Sequence, residues 1–302
     1  MVDKQKYVVI TGGLGYIGSH TVIELLENNY NKIIIIDNLS NSSKKILKRI
    51  KEISKKEILF FKKDLRDKSI FNIFKKYKID CVIHFAGLKS INESEKKFKL
   101  YFNNNVMGSL NLFQAMNKYD CRKIIFSSSA NVYNQYTKAP FKESNPIRPS
   151  SKYGLTKVMI EKFLRMYSER YNKKWSVVIL RYFNPIGAHC SGLLKENINK
   201  AENIIPKITK VLINKNKKFF IWGNNYETKD GTCLRDYIHV SDVAKFHLKS
   251  LKILKRKNLE ILNIGTGKPH SVIDILKTFK KITKKNIPIK IGKKRPGDVA
   301  IN

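Results

Sequence analysis

The stretch that most limits the fold is TGGLGYIGSH, Thr11 to His20. It follows an apolar, β-branched run, Tyr7–Thr11, and leads into a helix-like stretch, Ser19–Asn28. Gly12, Gly15 and Gly18 are spaced G-x-x-G-x-x-G, and Gly13, Gly15 and Gly18 fit the G-x-G-x-x-G pattern. Such glycines permit a tight turn and a close backbone approach. The helix start then offers unpaired N–H groups and a positive dipole end, which suit a diphosphate. Strand, glycine turn and helix in this order open a doubly wound α/β sheet.

The rest of the chain repeats that alternation. Strands are expected at Lys32–Asp37, Ile58–Phe61, Cys81–Ala86, Lys123–Ser127 and Ser176–Arg181. Helices are expected at Lys44–Lys55, Ile70–Tyr77, Val106–Lys118 and Tyr153–Tyr171. Buried-looking strands alternating with helices predict a Rossmann-like parallel sheet with helices on both faces. After Arg181, Pro, Gly and Asn become frequent, and the strands Phe219–Trp222, Leu259–Ile264 and Ile287–Ile291 lie farther apart. The chain is therefore expected to divide into a dinucleotide-binding domain, 1–183, and a smaller C-terminal substrate-binding lobe, 184–302. The boundary is approximate and the two can interlace.

Composition narrows the function. The chain has 302 residues and is 42% hydrophobic, enough for a large core. Its apolar runs, such as Ile33–Ile36, are too short to span a bilayer, and no signal segment precedes the first strand. A cytoplasmic protein with no membrane partner is the expectation. Cys81, Cys121, Cys190 and Cys233 are widely separated, and the six His show no i, i+4 pair, so neither a disulfide framework nor a metal is expected. Cys81 reads as a small core residue. The formal charge is +36, carried mostly by Lys scattered beside Asn and Ile. Drift in an A+T-rich genome explains this better than nucleic-acid binding, and no aromatic-plus-Arg/Gly motif argues otherwise.

Other motifs carry chemistry. Asp37 ends the second strand, where its carboxylate can accept from ribose hydroxyls and would repel a 2′-phosphate, favouring NAD over NADP. HFAGLKS ends the fourth strand; Phe85, Ala86 and Gly87 offer backbone to a cofactor, and Lys89 can reach ribose or phosphate. FSSSANVYN closes the fifth strand with hydroxyls that include Ser129, and YGLTK follows with Tyr153 and Lys157 one helical turn apart. A neutral Tyr is too weakly acidic to serve as a base near neutrality, and an adjacent Lys cation is expected to lower its pKa.

TGGLGYIGSH, IDNLSNS, HFAGLKS, FSSSANVY, YGLTK, LRYFNPIGAH, DGTCLRDYIHV and RPGD occur in this order. With them the chain resembles the UDP-glucose 4-epimerase (UDP-galactose 4-epimerase) family of the extended short-chain dehydrogenase/reductase superfamily, from about Tyr7 to Asp298. The resemblance implies NAD-dependent interconversion of UDP-glucose and UDP-galactose through a 4-keto intermediate, and a homodimer. It implies that Tyr153 is the general acid/base, with Lys157 and Ser129 its partners. The cofactor set it implies is Gly12, Gly15, Tyr16, Ile17, Asp37, Asn38, Asp64, Leu65, Phe85, Ala86, Lys89, Asn104, Ser127, Tyr153, Lys157 and Tyr182. The UDP-sugar set it implies is Asn184, Asn203, Ile204, Ile221, Trp222, Arg235, Tyr237, Arg295 and Asp298.

The chain departs from the family pattern in places. Asn134 replaces a usual Gly, and Lys152 replaces a usual Pro and brings a further cation near Tyr153. Family members usually continue into further strand and helix beyond the position of Asn302. The small Asn302 is expected to leave room for UDP-N-acetylglucosamine. Two alternatives stay open. One is a nucleotide-sugar 4,6-dehydratase or decarboxylase, although Ser129-Ala130-Asn131 lacks the Asp-Glu pair that a dehydratase would show. The other is an idle Rossmann protein that binds RNA through its basic surface.

Overall fold

Four consecutive isoleucines, β-branched and apolar on both sides, suit a strand covered on both faces. In the computed structural model, which describes residues 5–134, 136–169, 175–198, 203–214, 217–254, 258–294 and 299–301, that is where Ile33–Ile36 lie. The large unit runs β1 (Tyr7–Thr11), α1 (Tyr16–Glu27), β2 (Ile33–Ile36), α2 (Lys44–Ser54), β3 (Leu59–Phe61), α3 (Phe71–Lys76) and β4 (Ile79–His84). It continues with α4 (Ile91–Lys96), α5 (Phe98–Tyr101), α6 (Gly108–Lys118), β5 (Lys123–Ser129), α7 (Lys152–Glu169) and β6 (Ser176–Tyr182). The smaller lobe and its returns add β7 (Asn184–Ile186), α8 (Ile204–Ile213), β8 (Phe219–Trp222), β9 (Leu234–His239), α9 (Val240–Ile253) and β10 (Leu259–Ile264). Last come β11 (Pro269–Ser271), α10 (Val272–Thr283) and β12 (Ile289–Gly292).

Seven parallel strands pair in the order β10-β6-β5-β4-β1-β2-β3. The order reverses between β1 and β4, which opens a crevice at the carboxyl ends of those strands. Residue alternation sends Val8, Ile10, Ile33 and Ile35 to a core shared with α1, α2 and α9. Val9, Ile34, Val82, Ile124 and Phe126 go to the opposite core, shared with α3, α6 and α7. Cys81 is buried in the first of these, as its apolar run suggests.

The stretch after residue 184 contributes a strand to the large sheet as well as the strands of two smaller sheets. β10 lies within that stretch of sequence, yet it pairs in parallel with β6 as the outer strand of the large sheet. The crossover helix α9 packs its apolar residues Val243 and Leu251 into the α1 side of the core, and this carries the chain back. What remains is a small lobe of two sheets, β11-β9-β7 and β12-β8, with α8 and α10 around a core of Ile208, Phe219, Ile221, Leu276 and Ile287. Among the described residues, no helix is long and apolar enough to cross a membrane.

One buried ion pair fixes α7 to the sheet. Arg181 on β6 is fully buried; its Nη2 lies 2.7 Å and its Nε 3.1 Å from the Glu161 carboxylate on α7. Ser128 on β5 donates to Glu161 Oε1 at 2.5 Å. Arg181 also donates to the Tyr133 hydroxyl at 2.9 Å and to Glu143 O at 3.2 Å. Removing one partner leaves an uncompensated buried charge. Glu161→Ala should therefore lower stability by about 3–5 kcal/mol in urea unfolding, and Glu161→Leu combined with Arg181→Met should restore most of that loss.

Candidate active site

The glycine turn has the shape of a diphosphate cradle. Gly12 is held at φ +68°, and a Cβ there would lie 2.7 Å from Ala86 N. A Cβ on Gly18 would collide with Gly12 O. α1 begins without a capping side chain or an acidic first turn, so its N–H groups and dipole face the crevice. Asp37, buried at the end of β2, accepts from Leu14 N at 3.1 Å, Leu39 N at 2.9 Å and Ser42 Oγ at 2.8 Å. It thereby joins the glycine turn to the loop after β2. Asn38 donates to Asp64 at 2.9 Å, and Asp64 is paired with Arg66, which holds its carboxyl well below the usual range. Leu65 is buried, and its carbonyl accepts from Asn111 at 2.6 Å. Tyr16 and Ile17 open α1, and Ile17 packs on the core. These positions fit a bound dinucleotide.

Tyr153, Lys157 and Ser129 converge where β5 ends and α7 begins, and all three are buried. The Ser129 hydroxyl stands beside Tyr153 and accepts from Asn131 N at 3.2 Å and Nδ2 at 3.0 Å. Lys157 Nζ donates to Ser127 O at 2.8 Å and lies 4.9 Å from the centre of the Phe126 ring and 5.8 Å from that of Tyr153. Burial pushes the Tyr153 phenol up to about 12, and the neighbouring Ser129 opposes it. Burial pushes Lys157 down to about 8, and the Glu161 charge opposes that. Desolvation is the larger influence on the Tyr153 phenol, and the Lys157 ammonium stands 5.8 Å from its ring centre. Lys157 remains mostly cationic at neutral pH. Tyr182, next to Ser127 and bonded to His247, completes the wall.

The two departures near the site are accommodated. Lys152 Nζ donates to Glu95 O at 2.8 Å on α4, while Glu95 Oε1 accepts from Lys152 N at 2.8 Å. Its cation is therefore directed at α4. Asn134 does not adopt the left-handed backbone that would demand glycine.

Beyond Tyr182, β7 leads into a cleft of about 200 Å³. Asn184, Asn203, Ile204, Ile221, Trp222, Arg235 and Tyr237 all line it. Ile221 turns its side chain into the small core, and Trp222 on the other face of β8 stays 39% exposed. Arg235 donates to Leu234 O at 2.8 Å and Val299 O at 3.0 Å. Arg295, Asp298 and Asn302 lie outside the described residues.

Several supporting residues carry no motif. Asn105 lies in a π-helical stretch, Phe102–Met107, beside the expected Asn104. Its side chain bonds Leu88 N at 2.8 Å, Leu88 O at 3.0 Å and Thr156 at 3.2 Å, tying the cofactor loop to α7. The run of three Asn in an otherwise helical stretch was the available signal. Asn131 Nδ2 donates to Ser129 Oγ at 3.0 Å, where a dehydratase would carry an acid. His84 bridges Thr11 at 2.6 Å and Ser109 at 2.8 Å, and Phe85 packs on His247 with ring centres 4.6 Å apart.

Burial pushes His84 down to about 3 and both His20 and His247 to about 4. Unfolded, each titrates near about 6.5 and binds a proton below that pH, which the native state refuses. This part of the stability is present above pH about 6.5 and is lost as the pH falls, by up to about 1.4 kcal/mol per pH unit for each His. The urea midpoint should be clearly lower at pH 5 than at pH 7; equal midpoints would contradict the neutral, buried state of these rings.

Comparison with known proteins shows the family and agrees with the fold. Residues 8–265 match the NAD dependent epimerase/dehydratase family. A UDP-glucose 4-epimerase of Bacillus subtilis is 44% identical over 296 residues, covering 97% of this chain and 87% of that protein. The crystal structure of UDP-glucose 4-epimerase from Bifidobacterium longum in complex with NAD+ and UDP is 40% identical, with a TM-score of 0.92 over 98% of this chain and 88% of that one. The UDP-Glc/GlcNAc 4-epimerase of Campylobacter jejuni is 34% identical, with a TM-score of 0.83 over 98% of this chain and 89% of that one. The chain belongs to the NAD-dependent epimerase/dehydratase family, within its UDP-glucose 4-epimerase branch.

Proposed function

We propose that the chain interconverts UDP-glucose and UDP-galactose by inverting C4, with Tyr153 as the proton-transfer group. The observation that carries this reading is the buried Tyr153–Ser129–Lys157 cluster at the sheet edge, next to a cleft lined by Asn184, Asn203, Arg235 and Tyr237. NAD, when bound, supplies the acceptor and then the donor of the C4 hydride. The glycine turn, Asp37, Lys89 and Tyr182 are the residues that would hold it.

Tyr153 as phenolate takes the proton of the sugar 4-hydroxyl while C4 gives up its hydride, which leaves a 4-keto sugar. After the sugar presents its other face and the hydride returns, the same phenol gives the proton back. The net reaction is an isomerisation. Ser129, beside Tyr153, holds the 4-oxygen, and the Lys157 cation stabilises the phenolate. Arg235 suits the diphosphate because its guanidinium can bind oxygens bidentately. Trp222, 39% exposed and stacked on Phe220, is the aromatic ring nearest to hand for the uracil, and Asn184 and Tyr237 offer polar groups to the sugar. The same reading includes a homodimer, a cytoplasmic location, and domains that divide near residue 184 in sequence.

Incubation with UDP-galactose and no added NAD should yield UDP-glucose. Tyr153→Phe should lower the rate by about 100- to 10,000-fold while leaving the cofactor bound. An unsubstituted protein that holds NAD and makes no UDP-glucose would overturn the reading. We extend it to UDP-N-acetylglucosamine on the small side chain of Asn302. Turnover comparable with that of UDP-glucose supports the extension, and none overturns it.

A further inference from the structure

A hairpin between β7 and α8 connects the two sides of the site. Ala188 and Lys195 form its antiparallel bridge, and His189 N donates to Leu194 O at 2.8 Å. Leu194 is buried in the core on the α1 side. Tyr16, the first residue of α1, donates its hydroxyl to Gly187 O at 2.7 Å. The hairpin is thus fixed to the start of the helix that faces the diphosphate cradle.

Directly after the bridge stands Glu196, whose side chain is 10% exposed. Its carboxylate needs compensation and receives it from two residues. Lys89 Nζ, in the loop after β4, lies 2.8 Å from Oε1. Asn203 Nδ2, at the start of α8, donates to Oε1 at 3.0 Å and to Oε2 at 2.8 Å. Lys89 belongs to the expected cofactor set, and Asn203 lines the nucleotide-sugar cleft.

An ionised carboxylate only accepts hydrogen bonds, so it fixes the orientation of the Asn203 amide: the NH₂ faces Glu196, and the amide oxygen is what the side chain offers a ligand. A hydroxyl donor of the sugar is the matching chemistry. We propose that Glu196 is a positioning residue that orients Asn203 toward the sugar hydroxyls, with the Lys89 ammonium as its counter-charge. It belongs to neither residue set that the motifs mark. This inference rests on the assignment of the cleft to a nucleotide sugar.

The test uses the NAD-loaded protein and calorimetric binding of UDP-glucose, which requires no turnover. Glu196→Gln can turn an NH₂ group toward Asn203 and loses the charge. It should weaken UDP-glucose binding about tenfold, with NAD content and Tm unchanged. Glu196→Ala combined with Asn203→Ala should bind no more weakly than Asn203→Ala alone, since the first residue acts through the second. UDP-glucose binding unchanged in Glu196→Gln overturns the role of Glu196. So does a joint loss of UDP-glucose binding, NAD content and Tm, which marks a fold support. No binding of UDP-glucose by the unsubstituted protein overturns the assignment of the cleft itself.

Discussion

The Arg181–Glu161 ion pair holds α7 to β5 and β6, and the position of Tyr153 and Lys157 depends on it. Glu161 lies one helical turn beyond Lys157, as Lys157 lies one turn beyond Tyr153, so the three share a face. The far end of that face is clamped by Arg181 and Ser128, and the near end projects over the end of β5. A buried pair of this kind gives little net stability over an apolar pair of the same volume. Its effect is geometric: α7 cannot slide or rotate without stranding a charge.

Burial sets the electrostatics around that frame. It moves Tyr153 up to about 12 and Lys157 down to about 8, so desolvation pushes both toward their neutral forms. A phenol in that state holds its proton firmly. A cation beside a phenol favours its ionised form, and Lys157 is the cation that stands nearby. Neutral His84 and His247, packed behind the site, add no competing charge.

Much of this was legible in the sequence because local chemistry fixes local structure. The glycine turn, Asp37 at the end of β2 and the Tyr153–Lys157 spacing each rest on a few contiguous residues. The alternating strands could be read from their apolar runs, and β2 and β8 fall within a residue or so of where those runs place them. The small lobe was harder to read. Its short strands β7, β9 and β11 have three, six and three residues and no periodic signature, and β10 leaves the lobe to join the large sheet. The supports were hidden for a different reason. Arg181 meets Glu161, Glu196 meets Lys89, and Asn105 meets Thr156 only through tertiary structure, and nothing in the spacing of those residues announces the meeting.

The central claim is that Tyr153 is a proton-transfer group whose acidity the bound cofactor and Lys157 control. Ultraviolet difference titration of the unsubstituted protein against Tyr153→Phe isolates this one phenol. The account predicts that it titrates near about 12 in the NAD-free protein, shifts toward neutrality when NAD is bound, and loses part of that shift in Lys157→Met. A Tyr153 phenol that titrates at the same pH with and without NAD would contradict it.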